Sequence, residues 1–190
     1  VPVEQLKPGQ QIFSVTLSAE LAMTRNQPKA ALTALSHPSL QKLGEMPEEQ
    51  QVRTGTVHAR ALEADGQTLA AARERIFIAP MLKDEAASKN HEAIWTLIAS
   101  LPTDQLQPNT TDDLGGWMGL ALAVKTAGTL EQQQAAIDTW RAQNPKHPAA
   151  INLPLPLTKL KELASQPLSK IALLLPQDGQ LASVGKALRE

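Results

Sequence analysis

Residues 47–78 read PEEQQVRTGTVHARALEADGQTLAAARERIFI: one helical pattern, a tight break, and a second helical pattern. Proline is tolerated in a first helical turn, and Glu48 and Glu49 fall at the electropositive end of the helix dipole. The spacing therefore predicts a helix over 47–64, closed by Asp65-Gly66 as a C-cap. A partner helix over 67–78 follows, and Pro80 stops it. Ala59 precedes Gly66 by seven positions. A small residue two turns before a tight loop lets the two backbones approach closely, and Ala71 supplies the matching small residue beyond the turn.

The same spacing recurs on both sides. Ala19 and Ala121 stand seven positions before Asn26 and Gly128, and Ala31 and Ala135-Ala136 follow those turns. Apolar residues at three- and four-residue steps predict helices over 10–24 and 89–101, and a long one from Thr111-Asp112-Asp113 to Gly128. Shorter helices are predicted over 28–35, opened by Pro28, and over 130–143, with a brief turn over 103–108. The interval between the first two hairpins is 40 residues and the next is 62. Helical arrays repeat every 34 to 47 residues or so, so the second interval needs an inserted helix pair. The expected class is all-α: stacked, TPR-like antiparallel hairpins forming an α-solenoid. A plain helical bundle with Ala-rich contacts is the alternative.

After residue 151 the character changes. Pro154 and Pro156 keep 152–156 out of any helix interior, and a short helix is predicted over 157–164. The apolar run at 170–176 reads as a strand buried on both faces or as a buried helical segment. A turn at 177–179 and a helical stretch over 180–189 complete what looks like the start of a βαβ unit. The division is thus a helical domain at 1–151, a Pro-rich linker with a short helix at 152–169, and the truncated opening of an α/β domain at 170–190.

Composition excludes several functions. The 190 residues carry a formal charge of -1, no cysteine and only 3% aromatic residues. There is no basic surplus for nucleic acid, no thiolate or disulfide chemistry, and no apolar run of roughly 18 residues to span a membrane. His37, His58, His91 and His147 are widely separated and lack metal-ligand spacing, so solvent-facing or turn positions are expected. The pairs Glu48-Glu49, Asp84-Glu85 and Asp112-Asp113 fall at predicted helix starts, where the dipole accounts for them. No catalytic, cofactor-binding or metal-binding residue is predicted. Gly115-Gly116 marks either close packing or a bend that shapes a groove. Trp95, Trp117 and Trp140 are expected in the core, with a ligand groove as the other possibility, which makes them the candidate partner-binding residues.

The order of these features resembles the LpoA (YraM) family of penicillin-binding-protein activators. Degenerate hairpins run through a Pro-rich linker into KIALLLPQDGQ at 170–180, followed by Leu181, Ala182, Gly185 and Ala187. Ile94-Trp95, Gly116-Trp117-Met118 and WRAQNP at 140–145 resemble the family's last N-terminal helices. Asp178 departs from the Ser, Thr or Asn common at that turn. The resemblance implies a lipoprotein on the periplasmic face of the outer membrane, held by a lipid anchor outside this stretch. It would activate a class A penicillin-binding protein, and peptidoglycan itself is a further candidate partner; no cofactor is implied. The family's main synthase contact is ascribed to a C-terminal domain similar to type I periplasmic binding proteins. This region is then a stiff, curved spacer and accessory interaction module. A peptide- or glycan-binding module is the first rival, and a lytic or amidase-like enzyme the second.

Overall fold

Asn26 and Gly66 end two helices in the same way. Both are in the left-handed region, with φ of 55° and 80°. Gln27 N–H donates to Ala22 O at 2.9 Å and Asn26 N–H to Met23 O at 3.0 Å; Gln67 and Gly66 repeat the pair on Leu62 and Glu63 at 2.9 and 3.1 Å. This doubly bonded C-cap satisfies carbonyls that a helix end leaves open and reverses the chain within two residues. It folds α1 (Pro8–Thr24) onto α2 (Pro28–Leu35), and α3 (Glu48–Ala64) onto α4 (Thr68–Ile78). A 3-10 stretch, Pro38–Glu45, joins the two hairpins.

The structure, a computed structural model, describes residues 2–165. Beyond the first four helices lie α5 (Asp84–Ser100), α6 (Asp113–Thr126), α7 (Leu130–Gln143), the single turn α8 (Pro148–Ile151) and α9 (Leu155–Ser165), with no strand among the described residues. The strand, turn and helix expected over 170–190 lie outside them. From α1 to α7 each helix packs against its chain neighbours, α1 also meets α3 and α4 also meets α6, and α9 packs on α7, so the hairpins stack in order.

The small residues sit where the hairpins cross. Ala19, Ala59 and Ala121 are each fully buried, as are Ala31 and Ala71. At Gly55 a Cβ would lie 2.4 Å from Ile78 Cγ2, so α3 and α4 approach as closely as glycine allows. The third hairpin differs on two counts. Ala135 is exposed, and Ile137 and Trp140 supply the buried surface of α7. Gly128 is also not a left-handed cap, because Gly66 is the one described glycine with positive φ. Here the start of α7 makes the turn: Thr129 Oγ1 accepts from Gln132 N–H at 3.2 Å, and Gln132 Oε1 accepts from Gly128 N–H at 3.0 Å.

A second difference lies in the long interval. One helix, α5, and a 3-10 turn at Thr103–Gln105 fill it, not a helix pair. Because α5 packs on both α4 and α6, a single helix is enough to carry the stack forward.

Two apolar clusters result. One joins α1–α3 through Ala19, Ala22, Leu35 and Val57; the other runs from Ala72 on α4 to Leu157 on α9. Polar links reinforce the stack. Thr16 and Thr54 hydroxyls meet at 2.8 Å between α1 and α3, with Gln50 Nε2 donating to Thr54 at 3.0 Å. Between α4 and α5, Asn90 Nδ2 donates to Arg75 O at 2.8 Å, and Arg75 pairs with Glu63 of α3. The start of α9 is held from α5, where Glu92 Oε1 accepts from Leu155 N–H at 2.9 Å.

Candidate functional site

The features that sequence left unexplained converge at α6. Asp112 caps this helix by accepting from Gly115 N–H at 3.0 Å. The Thr110 hydroxyl beside it, and then that Gly115 bond, hold the Asp112 carboxyl below its ordinary pKa. A Cβ on Gly115 would fall 1.9 Å from Thr110 O, and one on Gly116 would fall 2.4 Å from His147 Cδ2. Close packing therefore explains the glycine pair, and the Thr110 backbone and the His147 imidazole do the packing.

His147 anchors this corner. Its Nδ1 accepts from Ala149 N–H at 3.1 Å, capping α8, and its Nε2–H donates to Asp113 O at 2.9 Å, roles assigned from these bonds. Burial pushes its pKa below 6.5 against the opposing pull of the Asp113 carbonyl. The ring stands edge-on to Trp117 at 5.4 Å and to Trp140 at 5.1 Å. His91 also meets Trp117, at 5.0 Å, and its Nε2 lies 2.7 Å from Asn152 O. The expectation of four solvent-facing or turn histidines needs correcting here. His37 does cap a turn, the 3-10 stretch, but His147 is buried, and His58 and His91 are half-buried. The burial comes from helices that meet only in three dimensions.

All three tryptophans belong to the core, at 6%, 1% and 6% exposure for Trp95, Trp117 and Trp140. Trp95 and Trp117 lie 6.5 Å apart, and His147 links Trp117 to Trp140. None presents an open ring face, so the stacking groove considered for them is not formed. Trp140 nevertheless contributes an edge to a cavity of about 1200 Å³ between α6 and α7, running from Thr126 and Gln132 to Asp112 and Lys146.

Gly116 and Gly119 form part of its floor. Sequence reasoning passed over Gly119, although its place one turn after Gly116 puts both on one helix face. A Cβ at Gly119 would meet Trp140 Nε1 at 3.4 Å, an ordinary contact. No neighbour in the fold requires this glycine, yet a helix-interior glycine costs about 0.5–1 kcal/mol relative to alanine. No indole nitrogen has an acceptor among the described residues. Gln134 Oε1 is the one fully enclosed side-chain N or O atom there without a partner. The Trp140 N–H is thus open, and its place beside Gly119 directs it to the groove.

A smaller apolar cavity of about 470 Å³ lies near Trp117, His91 and Ile151. Among the described residues, no group of His, Asp or Glu is arranged to hold a metal ion, and no helix is long and apolar enough to cross a membrane.

Comparison with known proteins identifies relatives. The model of a family described as "LppC putative lipoprotein" matches residues 1–190. The penicillin-binding protein activator LpoA of Edwardsiella ictaluri is 34% identical over 182 residues, covering 93% of this chain and 26% of the relative. That of Photobacterium profundum is 30% identical over 174 residues, covering 89% of this chain and 28% of the relative. The chain thus spans less than a third of the length of these relatives. Full-length LpoA from Haemophilus influenzae superposes with a TM-score of 0.71 at 23% identity, covering 98% of this chain and 35% of that one. The amino-terminal domain of Escherichia coli LpoA gives 0.67 at 20% identity, covering 81% and 70%. At such identities the structures establish the shared fold.

Proposed function

The chain belongs to the LppC lipoprotein family, and we propose that it is the helical, non-enzymatic part of an activator of a class A penicillin-binding protein. The observation that carries this reading is the family match over the whole chain, joined to relatives named as penicillin-binding protein activators. The structure is compatible with it: stacked hairpins expose long helix flanks and an open groove between α6 and α7, the form in which helical arrays present binding surfaces. Work of this kind is done by contact, and peptidoglycan synthesis is the process regulated. We place the chain on the periplasmic face of the outer membrane, tethered by a lipid outside these residues. Within the longer protein it acts as a spacer and accessory contact, and the domain after residue 169 makes the main one.

The test is to add the purified chain, and separately a full-length LpoA relative, to a penicillin-binding protein and measure the rate of peptidoglycan synthesis. The relative should raise the rate strongly and the chain weakly, and neither should release soluble products from isolated sacculi. Solubilised fragments from the chain alone would replace this reading with an enzyme.

A further inference from the structure

We propose that the α6–α7 groove holds an extended, uncharged polypeptide segment of the penicillin-binding protein, one of whose backbone carbonyls accepts the Trp140 indole N–H over Gly119. This deepens the functional reading above and rests on it.

Three observations support the assignment. First, Trp140 is 6% exposed and its N–H has no acceptor among the described residues yet is not fully enclosed, so a nearly buried ring leaves one donor open at the groove wall. Buried indole N–H groups ordinarily find a partner. Second, Gly119 weakens its helix while no neighbour in the fold demands it; a methyl there would stand 3.4 Å from Trp140 Nε1 and cover the donor. Glycine is the residue that lets a ligand backbone come close. Third, Asn144 lies one helical turn beyond Trp140. Its Nδ2 is committed to Trp140 O at 2.9 Å, which leaves Oδ1 free as an acceptor. A donor and an acceptor one turn apart on one face suit the alternating C=O and N–H groups of an extended chain.

The remaining lining fits the same occupant. Thr126, Thr139 and Gln143 add short hydroxyl and amide groups, while Asp112, Asp113 and Lys146 gather at one end with one negative charge in excess, Asp112 being engaged as the cap of α6. Each wall is a 14-residue helix, about 20 Å long and therefore matched to roughly six extended residues. A sugar ring would look for an open aromatic face, and Trp140 is too deeply buried to offer one.

The experiment follows the Trp140 indole resonance of the 15N-labelled chain by NMR. The probes are twelve-residue peptides tiled across the extracytoplasmic sequence of the penicillin-binding protein, and a disaccharide-pentapeptide from peptidoglycan. At least one tiled peptide should move the indole proton downfield and saturate. In Gly119→Ala its affinity should fall by about tenfold, with a melting temperature no lower than that of the unaltered chain. Unchanged affinity in Gly119→Ala overturns the proposal, as does a shift produced by the disaccharide-pentapeptide alone. If the chain binds the intact penicillin-binding protein and no peptide moves Trp140, the groove assignment falls and the functional reading stands. If the chain does not bind that protein at all, both fall.

Discussion

The imidazole of His147 lies against the backbone of Gly116 so closely that a Cβ on the glycine would stand 2.4 Å from Cδ2 of the ring. Gly119, one turn later on the same helix, has no such clash. Gly116→Ala should therefore destabilise the fold by about 1–3 kcal/mol through overpacking. Gly119→Ala should stabilise it by about 0.5–1 kcal/mol through helix propensity. Urea midpoints of the two variants, moving in opposite directions, check this; a shift of the same sign in both would contradict the packing described.

Ala59 is fully buried where α3 crosses its partner, whereas Ala135, which the sequence pattern sets in a comparable place, is exposed on α7. Ala59→Leu should cost about 1–3 kcal/mol, and Ala135→Leu should stay within about 0.5 kcal/mol of the unaltered chain. Denaturation of both variants with guanidinium distinguishes the two sites.

His147 gives stability a pH dependence. Its folded pKa lies below 6.5, the value it regains on unfolding. Between the two values the unfolded chain holds the extra proton, so stability rises with pH across that window. The contribution is complete above about pH 6.5 and is lost as pH falls below it. Asp113 and His91 are the ionisable neighbours that act on the ring. His147→Gln should flatten the stability profile between about pH 5 and 7 relative to the unaltered chain; identical slopes would show that the ring titrates freely.

Arg53 of α3 grips Glu20 of α1 through two bonds of 2.7 Å, and its guanidinium stands 5.3 Å from the centre of the Phe13 ring. The pair is 39% and 33% exposed, so solvent screens it, and a double-mutant cycle should return a small coupling that shrinks with added salt. The Arg53 bond holds the Glu20 carboxyl below 4.5. This contribution is therefore present above that pH and lost as pH falls through the lower, folded value. A coupling insensitive to salt would argue against an exposed ion pair.

Local signals made most of the fold legible. Pro28 marks the start of α2, and the boundaries the sequence predicts for α2 and α7 match the structure. The start of α5 was legible only in the Asp84-Glu85 pair at its electropositive end, and the apolar period placed it five residues late, at Lys89. Its first turns, from Asp84 to Lys89, bury almost nothing, so they carry no hydrophobic period, and the pattern emerges only from Asn90 onward. Seven-residue spacing likewise could not reveal that Gly128 serves an N-cap while Asn26 and Gly66 form left-handed caps. The meeting of His91, Trp117 and His147 is invisible for another reason: α5, α6 and the segment after α7 bring them together with no local pattern linking them. The buried cap at His147-Pro148 does have a counterpart at His37-Pro38, where Nδ1 accepts from Ser39 N–H at 3.2 Å. That repetition is the one sequence clue to its role.

A binding isotherm between the 190-residue chain and a purified class A penicillin-binding protein, set beside that of a full-length LpoA relative, tests the central claim most directly. Saturable binding by the chain is expected, weaker than the relative's by roughly tenfold or more, and reduced further by Gly119→Ala. No saturable binding by the chain, under conditions where the relative binds, would contradict the claim that these stacked hairpins act by touching the synthase.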